Sequence, residues 1–231
     1  MTKAWRVEPA KLLSVAGVSD LVAGSSRGHI PLSKAFFDKL AALCGLVFFA
    51  PFMLAIAVIL RFSERGPVLF AHERIGQNGR PFRCLKFRTM AVDADDRLAE
   101  LLRTDPAARA EWETSRKLSA DPRVTCLGAL LRRTSLDELP QFWNVLRGQM
   151  SMVGPRPVTA AELHHYQDRI DYYLAVRPGL TGAWQVGGRS TTTYAERVEM
   201  DVDYVRNWTF WRDMRIVLRT VAVVLHGKGA H

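Results

Sequence analysis

The stretch Leu40-Ala-Ala-Leu-Cys-Gly-Leu-Val-Phe-Phe-Ala-Pro-Phe-Met-Leu-Ala-Ile-Ala-Val-Ile-Leu60 contains no charged residue. A helix needs roughly 20 apolar residues to cross a ~30 Å hydrocarbon layer, so the run is long enough to span a membrane. A buried helix of a soluble protein would normally keep a polar face, which this run lacks. Pro51 stands at its middle, where the missing N–H and the ring favour a kink or a break. Both flanks are basic, with Lys34 and Lys39 before the run and Arg61 and Arg65 after it. Positive charge near membrane segments favours the cytoplasmic side. A kinked helix that enters and leaves through one leaflet satisfies both flanks, so a re-entrant helix-break-helix is expected over residues 33–62.

Outward from this run, residues 1–32 read as a mobile, polar leader without the apolar core of a signal peptide. Residues 63–231 read as one cytosolic domain. Asn78-Gly79, between two runs rich in Val, Leu, Ile and Phe, predicts a β-hairpin. Residues 93–117 are charged and rich in helix formers, predicting exposed helices interrupted at Pro106. Leu127–Gln149 predicts two helices with a break at Thr134-Ser135, and residues 160–175 predict another. Arg177–Gly182 reads as a loop. Tyr194–Trp208 and Trp211–Leu225 read as helices, the second basic on one side and apolar on the other, suited to an anionic membrane surface. Trp208, Phe210 and Trp211 fit either headgroup depth or the core. The fold class is α+β, mainly helical, with a small β-hairpin and amphipathic interfacial helices.

The formal charge of +9 calls for an anionic partner, and the 48% hydrophobic share supports a real core. No zinc-finger, KH or RRM signature accompanies the charge, so nucleic acid is not expected. Three dispersed cysteines give neither a disulfide framework nor a zinc motif. The single long apolar run excludes a many-spanning lipid phosphotransferase.

Chemistry concentrates in Leu131-Arg-Arg-Thr-Ser-Leu-Asp-Glu-Leu-Pro-Gln141. Asp137 and Glu138 are adjacent carboxylates at an expected helix start. Ser135-x-x-Glu138 matches a capping box, a reading that requires no function. The surroundings point elsewhere. Arg132 and Arg133 lie upstream, Gly154-Pro155-Arg156-Pro157 follows, and Gly182-x-x-Gln185-Val-x-Gly188-Arg189 lies further on. Arginines beside Gly and Pro suit bidentate phosphate contacts, and two carboxylates beside them suit Mg2+.

Four segments together resemble the bacterial sugar transferases, the monotopic phosphoglycosyl transferases that begin surface-glycan assembly on undecaprenyl phosphate. They are the apolar run with its proline, GPVLFAHERIGQNGRPFRCLKFRTM (66–90), DPRVTCLGALLRRTSLDELPQFWNVLRGQMSMVGPRP (121–157), and VRPGLTGAWQVGGRS (176–190) through the C-terminus. The resemblance covers roughly residues 33–230. Many relatives have Ser-Pro at the helix break where this chain has Ala50-Pro51. The stretch 91–120 resembles an insertion of the hexose-1-phosphate subgroup.

The resemblance implies transfer of a sugar-1-phosphate, from a UDP-sugar carrying a hexose, to polyprenyl phosphate. It implies Asp137 as nucleophile, with Glu138 beside it holding Mg2+ or managing a proton. Arg132, Arg156 and Arg189 are implied phosphate and nucleotide contacts, with Lys86, Arg88, Pro155, Pro157 and Gln185 as further substrate-site candidates and Pro51 as the structural kink. It also implies the bacterial inner membrane, an anionic inner leaflet as lipid partner, and a cytoplasmic catalytic domain. The oligomeric state is left open. A catalytically silent scaffold of the same fold would lack the two acids.

Overall fold

A computed structural model describes residues 31–63, 66–115, 118–187 and 192–226. The expected leader therefore lies almost wholly outside the described residues. Helix α1 (Leu32–Ser63) leads into strands β1 (Leu69–Ile75) and β2 (Pro81–Phe87), then helices α2 (Ala94–Thr104), α3 (Pro106–Ser115) and α4 (Cys126–Arg133). A 3₁₀ turn at Leu136–Glu138 precedes α5 (Gln141–Leu146) and β3 (Ser151–Val153). A longer 3₁₀ segment (Ala160–Arg169) runs into α6 (Ile170–Leu174). Strand β4 (Gly179–Thr181), α7 (Ala183–Gly187), α8 (Tyr194–Arg206) and α9 (Phe210–His226) complete the described chain.

Helix α1 is uninterrupted through Pro51, which corrects the expected helix-break-helix. Proline removes only one helical N–H, the donor to the Val47 carbonyl, and bends an axis more readily than it ends a helix held by tertiary packing. That packing is a stripe at helical spacing. Lys34, Asp38, Ala42, Ile56 and Leu60 are buried, and Leu46, Phe49, Met53 and Ala57 pack on the same core. The other faces are apolar and open, carrying Phe37, Leu43, Val47, Phe48, Phe52, Val58 and Phe62 among others. By length and composition α1 is, among the described residues, the one helix able to cross a membrane.

Both ends of α1 are tied to the domain. At the start, Lys34 Nζ donates to Asp213 Oδ2 at 2.6 Å, and Asp38 accepts from the Ser151 hydroxyl at 2.7 Å and the Met152 N–H at 3.2 Å. At the end, Arg88 Nη2 donates to the Leu60 carbonyl at 3.4 Å, one of the acceptors a helix terminus leaves unpartnered.

The hairpin forms as expected. β1 and β2 pair antiparallel from Leu69 opposite Phe87 to Ile75 opposite Pro81. Asn78 and Gly79 have φ of 57° and 72°, the left-handed values that a tight turn of this kind requires. The helices around Pro106 also form. Asp105 Oδ1 accepts from the Ala107 and Ala108 N–H groups at the start of α3.

A second sheet was not expected. β3 and β4 pair in parallel, Ser151 with Gly179 and Val153 with Thr181, so part of the Arg177–Gly182 loop is a strand. The two backbones meet closely because glycine faces glycine. A Cβ on Gly179 would fall 2.2 Å from the Gly154 nitrogen. Strands of three residues rich in glycine leave no period-two pattern to read. The helix expected over 160–175 is largely 3₁₀, with Gln167 at φ 46° interrupting it.

Core side chains form three adjoining clusters. The first joins α1, β2, α4 and α5 through Leu60, Phe87, Leu131, Val145 and Met150. The second gathers Ile75, Tyr166, Tyr173, Val198 and Val202, and the third Val153, Val176, Tyr204 and Ile216. On α9, Trp211, Leu218, Val221 and Val224 are exposed, and the Phe210 ring lies 5.1 Å from that of Phe37, so the apolar surface of α9 continues that of α1. Trp208 divides from its neighbours: its indole N–H donates inward to Asp213.

Candidate active site

The site is built where β2, the end of α4 and the 3₁₀ turn meet. Asn144 fixes this junction. Its buried side chain accepts from the Leu85 N–H at 3.0 Å and donates to the Arg83 carbonyl at 2.8 Å, standing in for a neighbouring strand along β2. Lys86, the next residue on β2, is thereby held over the 3₁₀ turn. Its ammonium donates to Glu138 Oε1 at 2.6 Å and lies 3.7 Å from Asp137 Oδ2.

Ser135 decides what Glu138 can do. Its φ of 56° places it in the left-handed region, and its side chain makes no capping hydrogen bond. An N-cap residue needs extended backbone, so the capping box legible in Ser135-x-x-Glu138 does not form. Glu138 is turned to Lys86 instead.

Asp137 is only 6% exposed. Burial raises its carboxyl above the ordinary aspartate range; Lys86 opposes this, Glu138 adds to it, and Arg132 opposes it more weakly. Arg132 itself is oriented by Thr89, whose hydroxyl accepts from Nε at 2.9 Å. The arrangement is a poorly hydrated carboxylate, kept near one lysine and one arginine, beside a second carboxylate. Such a group can act as a nucleophile toward a phosphoryl centre, and the cations suit the charge of the incoming phosphate.

Pro155 and Pro157 are buried, and Arg156 between them is exposed. Arg156 and the Lys86–Glu138 pair both act electrostatically on the Cys84 thiol, which burial pushes up to about 11. Gln185 lies further along, its Nε2 3.4 Å from the Leu180 carbonyl. Arg88 is buried against the end of α1. Arg189 lies outside the described residues. Sequence reading passed over Thr89 and Asn144, although Asn144 sits inside the quoted QFWNVLRG motif. Its role depends on a β2 edge 59 residues away, which local pattern does not reveal.

Fold and site together define a class: a mainly helical domain bearing one long apolar helix, with paired carboxylates set beside a lysine and an arginine. The family model of the bacterial sugar transferases matches residues 30–227. The chain belongs to the bacterial sugar transferase family. It is 50% identical over 198 residues to an uncharacterized sugar transferase of Haemophilus influenzae, covering 86% of this chain and 42% of that protein. It is 49% identical over 198 residues to a UDP-galactose-lipid carrier transferase of Erwinia amylovora, covering 86% and 41%. It is 48% identical over 200 residues to the exopolysaccharide production protein ExoY of Rhizobium meliloti, covering 87% and 88%. The chain thus spans about two fifths of the first two relatives and most of the third.

Proposed function

We propose that this protein transfers a hexose-1-phosphate from a UDP-sugar to polyprenyl (undecaprenyl) phosphate with release of UMP, the first membrane step of exopolysaccharide or other surface-glycan synthesis. The observation that carries this reading is the buried Asp137 carboxyl set 3.7 Å from the Lys86 ammonium, with Glu138 on the same lysine. The names of the Erwinia and Rhizobium relatives, which specify a galactose donor with a lipid carrier and exopolysaccharide production, agree with it.

In the first step an Asp137 oxygen attacks the β-phosphorus of the donor. The bond from that phosphorus to the bridging oxygen breaks, and UMP leaves with the electron pair. In the second step a polyprenyl phosphate oxygen attacks the same phosphorus. The aspartyl–phosphorus bond breaks, the carboxylate is regenerated, and a polyprenyl-diphosphate-sugar is formed. Partial desolvation of Asp137 raises its nucleophilicity, while Lys86 and Arg132 oppose its protonation and meet the charge of the phosphoryl group.

The residues fit Mg2+ bound in the manner usual at phosphoryl-transfer sites, through one or two carboxylates and substrate phosphates. Among the described residues no group of three or more His, Cys, Asp or Glu forms a protein-only cage. Asp137 and Glu138 would hold the ion, and its charge would neutralise the donor diphosphate.

For topology we favour a helix that dips into one leaflet. At 32 residues α1 is about 48 Å long. The buried Lys34–Asp213 pair at its start and Arg88 at its end bring both termini to polar parts of the same domain. A crossing helix would carry one end away from that domain. The exposed apolar faces of α1 and α9, with Arg215 and Arg219 exposed beside them, suit an anionic cytoplasmic leaflet of the inner membrane.

The test is to incubate purified protein with polyprenyl phosphate, Mg2+ and a panel of UDP-sugars and to measure UMP. Release with a UDP-hexose that depends on Asp137 supports the reading; no release with any member of the panel contradicts it.

A further inference from the structure

One large aromatic side chain stands exposed on the face of the hairpin that carries Lys86. Phe70 lies opposite Lys86 in the β1–β2 register. Directly opposed residues of an antiparallel pair put their side chains on the same face, with Cβ atoms about 4.5–5.5 Å apart. Two further observations agree with that placement. The Phe70 ring lies 6.1 Å from the ring of His72, two residues on along the same face. Burial lowers the His72 pKa, Arg74 acts in the same direction, and Lys86 does so more weakly. Lys86 in turn reaches Glu138 at 2.6 Å and Asp137 at 3.7 Å. A single cross-strand neighbour therefore links Phe70 to the carboxylate pair.

The ring is not a core residue. It is 55% exposed and belongs to none of the three core clusters. A lone exposed aromatic needs no explanation, but this one borders a buried nucleophile and the end of the apolar helix. Phe70 is the second residue of β1, at the end of the hairpin joined to α1 and away from the Asn78-Gly79 turn. There Phe87, at the end of β2, shares a core cluster with Leu60 of α1. Arg88, the residue after Phe87, donates to the Leu60 carbonyl. Exposed apolar side chains stand on the helix side of the ring. Phe62, near the end of α1, is one. Val92 is another, seated against Gly66, where a Cβ would fall 2.7 Å from Val92 Cγ2. The order from helix to site is thus apolar helix end, exposed ring, lysine, carboxylates. A ligand with an apolar chain ending in a phosphate matches that order, whereas a soluble nucleotide has no apolar chain to lay toward the helix.

We propose that Phe70 is an acceptor-binding residue: its ring carries the first isoprene units of polyprenyl phosphate, with the lipid's phosphate beside Lys86 and Asp137. The proposal rests on the reading of the chain as a transferase onto polyprenyl phosphate. A prenyl chain is apolar and offers flat double bonds and methyl groups to the face of a ring. The contact sets how far the lipid phosphate extends from the membrane surface, so that its oxygen arrives at the phosphorus held by Asp137.

The experiment measures the affinity of the full-length protein in detergent for three probes: undecaprenyl phosphate and dioleoyl phosphatidic acid by titration in native mass spectrometry, and UMP by calorimetry. Phe70→Ala is expected to weaken undecaprenyl phosphate roughly five- to ten-fold, through lost apolar contact, and to leave UMP within about two-fold. Phe70→Leu, which stays apolar, should retain most of the affinity. Phe70→Thr keeps strand propensity while removing the ring, and decides the matter if Phe70→Ala fails to fold. Leu69→Thr, at the exposed neighbour on the opposite face of β1, should change nothing. Unchanged undecaprenyl phosphate affinity in a folded Phe70→Ala or Phe70→Thr variant overturns the proposal. Equal loss for UMP would put the ring against the nucleotide, and equal loss for phosphatidic acid would make it a general lipid contact; either result overturns it as well. The transferase reading fails separately: if the wild type releases no UMP from any UDP-sugar yet Phe70→Ala selectively weakens undecaprenyl phosphate, the lipid subsite stands without the reaction.

Discussion

The Lys34 ammonium and the Asp213 carboxylate meet at 2.6 Å across 179 positions of sequence, both buried. The pair joins the start of the apolar helix α1 to the amphipathic helix α9. Asp213 also receives the Tyr204 hydroxyl at 2.7 Å and the Trp208 indole N–H at 3.1 Å. Breaking one side of such a pair strands a buried charge, at a cost of about 3–5 kcal/mol. Lys34→Met should therefore lower the melting temperature in detergent sharply. Adding Asp213→Asn should recover part of the loss, because the stranded charge is gone while an acceptor remains. Equal stability of Lys34→Met and wild type would show that the pair does not hold α1.

The same attachment makes a topological prediction. With Cys44 and Cys126 changed to serine, cysteines placed at Leu32 and at Ser63, both exposed, should react with a membrane-impermeant maleimide from the same face of oriented vesicles. Labelling from opposite faces would show that α1 crosses the bilayer.

Lys86 is the strongest influence holding the Asp137 pKa down against burial. Removing its charge should raise that pKa further. The proposed attack by Asp137 uses its carboxylate form, so activity is expected to fall as pH drops through its pKa, and the acid limb of the kcat/KM profile should move to higher pH in Lys86→Met. The variant should lose activity most at acidic pH and recover some as pH rises. An acid limb at its wild-type position would mean that Lys86 does not set the ionisation of Asp137.

Asp201 offers a prediction about stability. It is 3% exposed, accepts from the Tyr166 hydroxyl at 2.8 Å through Oδ2, and finds no hydrogen-bond partner for Oδ1 among the described residues. Burial raises its carboxyl to about 7. An unfolded aspartate titrates near 3.9, so the folded protein binds the extra proton between these values and loses stability as pH rises through them. Charging the group in place costs roughly 4 kcal/mol at the upper end of that window. Asp201→Asn should thus gain on the wild type as pH rises from 4 to 8, as read by melting temperature. A pH-independent difference between the two proteins would refute this.

Much of the fold was legible in the sequence, because its strongest signals are local. Asn78-Gly79 set the hairpin, and Asp105-Pro106 divided the two exposed helices. The carboxylate pair was legible for the same reason, as a local motif. The failures came from tertiary forces. Pro51 does not end α1, because the stripe from Lys34 to Leu60 packs on either side of it. The β3–β4 pair rests on a contact between Gly154 and Gly179, residues without side chains to pattern. The capping box at Ser135 was a correct local match overruled by a left-handed backbone, and that freed Glu138 for Lys86.

The central claim is that Asp137 bonds covalently to phosphorus. The most direct measurement is peptide-level mass spectrometry of the protein mixed with its UDP-hexose and Mg2+ in the absence of polyprenyl phosphate, compared with Asp137→Asn. The account predicts a phospho-hexose adduct on Asp137 that disappears when polyprenyl phosphate is added and never forms in the variant. Unmodified wild-type protein under conditions that release UMP, or an adduct on another residue, would contradict it.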